Sequence, residues 1–122
     1  MIDFKNGAVF KLKKVDGAPA EVQPLLIANE NIIGSYKTIR DSVVFTDKRI
    51  IAINVQGFTG TKKDFTTLPY SKVQAFSVET AGLFDMDNEL ELYFSALGRV
   101  KFDFTGQSDI IQIGQVISQH VL

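Results

Sequence analysis

The chain has 122 residues, enough for one domain, and its 45% hydrophobic and 22% charged residues are typical of a globular protein. It contains no cysteine, which excludes disulfides, a thiol nucleophile and cysteine-ligated zinc. The net charge of −1 argues against nucleic acid as a partner, because nucleic-acid-binding domains are usually strongly basic. The first residues lack a signal-peptide pattern, and no apolar run approaches the roughly 20 residues of a membrane helix. We therefore expect a soluble, cytoplasmic protein.

Residues 1–29 are predicted to form an N-terminal arm. Phe10 and Leu12 alternate with lysines as in a short strand, and Asp16-Gly17 is typical of a turn. A short helix is expected after Pro19, limited in length by Pro24.

From residue 30 onward the pattern predicts a β domain. β-branched and aromatic residues are spaced by polar ones, which is typical of strands. Pro69 near the end of the fourth strand favours an edge position or a bulge. Asp47 is expected to bond the backbone of its turn. The seven predicted strands are residues 34–40, 43–46, 49–55, 63–70, 71–80, 90–94 and 100–104, with turns at Arg40-Asp41, Asp47-Lys48, Gly57 to Gly60 and Leu97-Gly98.

The last two strands and the C-terminus show the clearest periodicity. Apolar residues alternate with polar ones along both strands, which predicts one buried and one solvated face. After Ser108 as the predicted N-cap, apolar residues recur at helical spacing, so a helix is expected to close one end of the sheet. The predicted core residues are Leu90, Leu92, Phe94, Val100, Phe102 and Phe104 on the strands and Ile110, Ile113 and Ile117 on the helix.

Charge is unevenly distributed along the chain. The stretch from Lys37 to Lys63 is mainly basic, and the stretch from Val73 to Gly98 contains five acids and no lysine or arginine. The simplest interpretation of both stretches is that their charges are scattered over the surface and solvated. The residues singled out as candidate ligand or partner contacts are Lys37, Arg40, Lys48, Lys62, Lys63, Glu89 and Glu91.

Catalytic and metal-binding patterns are weak. The single histidine, His120, lies close to the C-terminus, where a catalytic triad would not be held rigidly. The acids Asp85, Asp87 and Glu89 allow a carboxylate pair or a weak divalent-cation site, but a calcium loop counted from Asp85 lacks the required Gly and Glu. An acidic turn is the better interpretation. No catalytic, metal or cofactor site is therefore expected.

Residues 57–63, GFTGTKK, resemble phosphate-binding loops in their residue types but not in their spacing or flanking elements. The spacing is wrong for a P-loop, and the GxxG of a KH domain joins two helices, whereas this segment is predicted to join strands. Hairpin glycines that allow a positive φ are the simpler explanation.

Two segments carry a family resemblance: SYKTIRDSVVFTDKRIIAINVQGFTG (residues 35–60) and LPYSKVQAFSVETAGLFDMDNELELYF (residues 68–94). Together they closely resemble the bacterial pleckstrin-homology-like (PH-like) domain family, and the FTDKR corner is also similar to GRAM domains. The resemblance covers about three-quarters of the chain, roughly residues 30–122. It implies a mainly β fold, a bent barrel of seven antiparallel strands capped by one C-terminal α-helix. It implies no activity, because this fold hosts many unrelated functions.

In eukaryotic relatives, basic residues on the first two strands and their long connecting loop bind inositol phosphates. Here those strands are joined by a bare Arg40-Asp41 turn, so such a site would lack walls, although Lys37, Arg40 and Lys48 are expected to face one rim.

The leading hypothesis is a non-catalytic protein-interaction module that self-assembles or binds another protein. The family resemblance favours a cyclic homo-oligomer, with five subunits as the working number. The basic flank of one copy would then meet the acidic flank of the next. The alternative is a domain that binds a membrane surface or an anionic ligand such as a phospholipid headgroup.

Overall fold

In a computed structural model, the chain forms an eight-stranded sheet followed by one helix. The structure describes residues 1, 9–80 and 87–122, with residues 9 and 10 described by backbone alone. The strands are β1 (Val9–Val15), β2 (Ile32–Lys37), β3 (Ser42–Thr46), β4 (Arg49–Gln56), β5 (Lys62–Pro69), β6 (Ala75–Glu79), β7 (Asn88–Phe94) and β8 (Gly98–Thr105). The helix α1 is Ile110–Val121, and two short 3-10 helices span Ala20–Leu25 and Tyr70–Lys72.

The strand order is β5-β4-β3-β2-β1-β8-β7-β6, so β5 and β6 are the edges of the sheet in the described residues. Neighbouring strands are antiparallel except β1 and β8, which run parallel. The class of fold is confirmed, but the prediction of seven antiparallel strands was wrong in number. The alternation of Phe10 and Leu12 with lysines indicated a short strand near the N-terminus, but it was assigned to the arm and left out of the seven; the structure makes it β1 of the sheet. The edge position predicted from Pro69 is confirmed.

The inner face of the sheet carries the main core. All six predicted strand positions on β7 and β8 are buried, so the predicted register is confirmed. They pack with Tyr36 and Phe45 from β2 and β3. The rings of Tyr36 and Phe104 meet edge to face at 4.9 Å, and those of Phe45 and Phe102 at 5.7 Å. Such pairs add about 0.5–1.5 kcal/mol each beyond burial.

The helix α1 closes one end of this core, as predicted. Ile110, Ile113 and Ile117 are buried. The predicted N-cap was wrong: Asp109 occupies that position, whereas the Ser108 hydroxyl accepts a hydrogen bond from Asn88 Nδ2 at 3.2 Å. The helix thus begins one residue later than predicted, and no side-chain hydrogen bond caps it at Asp109.

Much of the segment predicted as an arm belongs to the sheet. β1 lies between β2 and β8, and the 3-10 helix Ala20–Leu25 covers the outer face of β3 and β4. There Val22 packs with Val44, Ile51 and Ile53 in a second apolar cluster. The sheet is therefore buried on both faces over β3 and β4.

Candidate functional site

Two turns lie together at one end of the sheet: the β2–β3 turn (residues 38–41) and the β4–β5 turn (residues 57–61). The Arg40 guanidinium donates a hydrogen bond to the Gly57 carbonyl at 2.9 Å. The Asp41 carboxylate accepts one from the Val55 backbone N–H, also at 2.9 Å. These bonds cross from one hairpin to the other, so the two turns form one surface.

Each turn carries a fully exposed large apolar side chain. Ile39 is 102% exposed and Phe58 is 107% exposed. Phe58 lies between Gly57 and Gly60, whose φ angles of +81° and +69° confirm the prediction of hairpin glycines. Sequence reasoning missed Ile39 and Phe58. The available signal was an apolar residue at the centre of a turn, where polar residues normally stand.

Basic residues flank the two turns along the chain. Lys37 ends β2, Arg40 lies in the β2–β3 turn, and Lys62 begins β5. Lys37 is also the cross-strand partner of Lys13 on β1, which adds a further cation beside the turns. We call Lys37, Ile39, Arg40, Phe58 and Lys62 the tip surface.

The structure separates the other two predicted basic residues from the tip surface. Lys48 lies in the β3–β4 turn, at the opposite end of β3, so the expectation that it shares a rim with Lys37 and Arg40 was wrong. The Lys63 side chain points to the 3-10 helix Ala20–Leu25, where its ammonium group lies 2.5 Å from the Glu21 carboxylate. Along β5 the side chains alternate, so Lys63 lies on the outer face, as Lys37 does, and Lys62 lies on the inner face. The ion pair with Glu21 is therefore what separates Lys63 from the tip surface.

The predicted acidic contacts, Glu89 and Glu91, lie on the outer face of β7. Glu89 forms an ion pair with Lys101 at 3.1 Å, and Glu91 forms one with Arg99 at 3.1 Å. The hydrogen bond to Glu89 raises the pKa of Lys101 above its ordinary value. Both carboxylates are thus paired within the chain with cations of β8, the neighbouring strand of the predicted hairpin.

The other candidate sites are not assembled in the described residues. His120 is exposed on α1, with Nδ1 2.9 Å from the carbonyl oxygen of Val116. Asp85 lies outside the described residues, and Asp87 Oδ1 accepts a hydrogen bond from the Gly106 N–H at 3.1 Å. Over residues 9–80 and 87–122, no three potential ligands among His, Cys, Asp and Glu come together to hold a metal ion. In the same part of the chain, no helix has the length and hydropathy to cross a membrane.

A buried ion pair lies at the opposite end of β3 and β4 from the tip surface. Arg49 donates to both carboxylate oxygens of Glu30, from Nε at 2.8 Å and from Nη2 at 3.0 Å. The Thr46 hydroxyl donates to Glu30 Oε2 at 2.7 Å. Burial alone would raise the pKa of Glu30, but the hydrogen bonds from Arg49 and Thr46 outweigh it and hold the pKa at about 2. We call Glu30, Thr46 and Arg49 the corner lock.

Comparison with known proteins identifies the family. The sequence model of the family described as "Bacterial PH domain" matches residues 3–121. The chain belongs to this family. The match begins near the first residue and includes β1, consistent with the position of that strand inside the sheet.

Relatives of this bacterial PH domain include the uncharacterized protein YjqA of Bacillus subtilis (strain 168). It is 40% identical over 100 residues, which is 80% of each chain. Among solved structures, a DUF1696 family protein with a pleckstrin-homology domain from Shewanella loihica PV-4 is 35% identical with a TM-score of 0.73. That comparison covers 93% of this chain and 99% of the other. A pleckstrin homology domain from Shewanella amazonensis SB2B is 40% identical with a TM-score of 0.58, covering 84% of each chain.

The FTDKR corner of this bacterial PH domain has a structural role. The Thr46 hydroxyl accepts hydrogen bonds from the backbone N–H groups of Lys48 and Arg49, both at 3.0 Å, and so performs the turn-stabilising role expected of Asp47. Asp47 instead accepts hydrogen bonds from Asn31, which lower its pKa. The residues of this corner thus stabilise the fold and lie at the opposite end of β3 and β4 from the tip surface.

Proposed function

We propose that this bacterial PH domain docks on anionic membrane surfaces through the tip surface. The observation that carries the proposal is the pair of fully exposed apolar side chains, Ile39 and Phe58, on two turns that hydrogen-bond to each other. Lys37, Arg40 and Lys62 flank them. Apolar side chains beside cations suit a boundary where anionic headgroups overlie acyl chains.

The expected strength follows from these five side chains. Full burial of a Phe or Ile side chain is worth about 1.5–3 kcal/mol, and a tip that enters the headgroup region gains part of that. Each basic residue near an anionic surface adds about 1 kcal/mol. A total of about 5 kcal/mol corresponds to a dissociation constant somewhat below about 1 mM. Binding should therefore be weak for a single domain and should depend on salt.

The shape of the tip surface favours a membrane surface over one specific headgroup. The β2–β3 turn has four residues, and its Asp41 carboxylate is bonded to Val55 and to Asn54 Nδ2 of β4. A turn of this length is too short to enclose a phosphate group. Discrimination should therefore follow the charge of the membrane rather than the identity of the headgroup.

Vesicle sedimentation tests the proposal. The wild-type domain should sediment with vesicles that contain an anionic phospholipid and remain in solution with phosphatidylcholine alone. Phe58→Glu removes an apolar contact and adds repulsion, so vesicle affinity should fall by about tenfold or more. Lys37→Glu combined with Lys62→Glu should abolish the preference for anionic vesicles.

The matched control is Ile111→Glu, which places the same charge at an apolar position on α1 that is 61% exposed. Its vesicle binding should equal that of the wild type. Absence of binding by the wild type, or an equal loss in Ile111→Glu and Phe58→Glu, would overturn the proposal.

Self-assembly is a second candidate, supported by the two sheet edges, β5 and β6. Unpaired edges tend to find partners, and an edge-to-edge contact between copies would be head to tail, as in a ring. The charges expected to guide it lend less support, because Lys63, Glu89 and Glu91 already form ion pairs within the chain. The edges therefore carry this candidate, and the charges would serve to orient one copy against the next.

Light scattering across a range of concentrations tests assembly. A ring predicts a mass that is a fixed multiple of the monomer. Lys62→Glu with Lys63→Glu should lower that mass, and mixing this variant with Glu89→Lys and Glu91→Lys should restore it. A monomeric mass at every concentration would exclude this candidate and leave the membrane proposal standing.

A further inference from the structure

A different surface lies at the other edge of the sheet. β6 pairs with β7 on one side, and over the described residues no strand pairs with its other side. The side chains of Ala75, Ser77 and Glu79 are exposed on the outer face, whereas Phe76 and Val78 turn inward and are partly buried. An edge of this kind offers backbone donors and acceptors to an extended segment.

An apolar groove runs between β6 and α1. Its volume is about 690 Å³, and its apolar lining is Phe76, Val78, Ile110, Ile111 and Gly114. Gly114 forms part of the floor, because a Cβ there would lie 3.5 Å from Val78 Cγ2. Ile111 is 61% exposed at the rim. Gln115, Ser118 and Gln119 supply polar groups beside it.

The outer face at this edge carries three carboxylates, and two of them, Glu89 and Glu91, are paired with cations of β8. Glu79 lies directly opposite Glu89 on β7, and Glu91 lies opposite Ser77. Like charges directly opposite each other in a sheet are destabilising. Lys101 pairs with Glu89, but among the described residues no ion pair holds Glu79. A cation placed beside Glu79 would therefore pair with an exposed carboxylate that lies next to another carboxylate.

We propose that β6 binds an extended segment of another protein in which apolar and basic residues alternate. The segment would add to the β6 edge by main-chain hydrogen bonds. Because side chains alternate across a strand, its apolar residues would enter the groove beside Ile111, and its basic residues would lie beside Glu79. The inference is independent of the tip surface, with which the groove shares no residue.

A second copy of this chain fits the groove less well. Antiparallel pairing of β6 with β6 of another copy would bring no cation to Glu79, because the exposed side chains of β6 are Ala75, Ser77 and Glu79. The other available edge, β5, would set the polar side chains of Asp64 and Thr66 over the groove if the same face stayed inward. Pro69 also removes one N–H from that edge. Charge and polarity therefore favour a basic, alternating segment from another protein.

The probe is a synthetic peptide that alternates valine and lysine, with a valine–glutamate peptide of the same length as the charge control. Titration of the isotope-labelled domain should shift the backbone NMR signals of β6 and of α1 around Ile111. Amide hydrogen exchange in β6 should slow when the lysine peptide is present, because its edge N–H groups become hydrogen-bonded. The glutamate peptide should cause neither change.

Matched variants locate the contact. Ile111→Lys should weaken binding of the lysine peptide by about tenfold or more. Ile27→Lys, the same change at a side chain that is 62% exposed and outside both surfaces, should have no effect. Glu79→Lys should weaken the lysine peptide and strengthen the glutamate peptide. Equal effects of Ile111→Lys and Ile27→Lys, or unchanged hydrogen exchange in β6, would refute the proposal. A peptide-free dimer that Ile111→Lys dissociates would refute it too, because a second copy would then occupy the groove.

Discussion

Replacing Glu30 by Gln should lower the free energy of unfolding by about 3 kcal/mol at neutral pH. The side chain of Glu30 is fully buried and that of Arg49 is 18% exposed, so the pair is largely removed from water. The pKa of Glu30 falls from its ordinary value of 4.5 to about 2, and a difference of that size corresponds to about 3 kcal/mol of linked stability. Removal of one partner from a buried pair costs a similar amount, because Arg49 keeps an uncompensated charge.

The pH dependence has a defined sign. A carboxyl whose pKa is lower in the folded state stabilises the protein above its unfolded pKa. That contribution disappears as the pH falls through its folded pKa. The stability supplied by Glu30 should therefore be complete at neutral pH and decline as the pH falls from 4.5 toward 2. The difference between the wild type and Glu30→Gln should shrink over the same interval.

Urea denaturation at a series of pH values measures both quantities, with the slope of the transition as a check on two-state unfolding. Glu21→Gln is the matched control, because it removes a carboxylate from an exposed ion pair with Lys63 and should lower stability far less than Glu30→Gln does. A cost near zero for Glu30→Gln, or a difference from the wild type that stays constant down to pH 2, would refute the role assigned to the corner lock.

Three further changes test the core and the start of α1. Tyr36→Phe should cost about 1–3 kcal/mol in urea denaturation, because the Tyr36 hydroxyl donates to Asp109 Oδ2 and accepts from the Asp109 N–H, both at 2.7 Å. Gly34→Ala should cost about 1–3 kcal/mol, because its Cβ would lie 2.6 Å from Asp109 Oδ2. That cost should shrink in an Asp109→Ala background, and an unchanged cost would exclude the clash as its cause. Phe102→Ala should cost about 3–5 kcal/mol, and a thermal midpoint equal to that of the wild type would contradict its core position.

Local periodicity was enough to predict the C-terminal half of the fold. In β7 and β8 every second residue is apolar, and a slip of one residue would have exposed Leu90 and Phe102 together, so the register had only one reasonable solution. In α1 the spacing of Ile110, Ile113 and Ile117 served equally well. These patterns are visible because each lies within a single element.

The position of β1 could not be predicted in the same way. It pairs with β8, so that Leu12 faces Phe104 from the far end of the chain. Two ion pairs could not be predicted for the same reason. Glu30 pairs with Arg49 and Glu21 pairs with Lys63, and the two residues of each pair lie too far apart in the sequence for a local pattern to connect them. Exposure at the tip surface was hidden for another reason, since apolar residues in strand-rich segments are usually buried.

The tip surface and the corner lock lie at opposite ends of β3 and β4, and this separation yields the last prediction. The double variant Ile39→Ser with Phe58→Ser removes two side chains that are fully exposed in the free domain, so the free energy of unfolding should change by less than about 0.5 kcal/mol. The cross-hairpin bonds from Arg40 and Asp41 involve neither side chain and should persist. Vesicle binding should nevertheless be lost, because both apolar contacts with the membrane are gone. A fall in stability of more than about 1 kcal/mol would show that Ile39 and Phe58 are packed in the free protein, and the tip surface would then lose its defining feature.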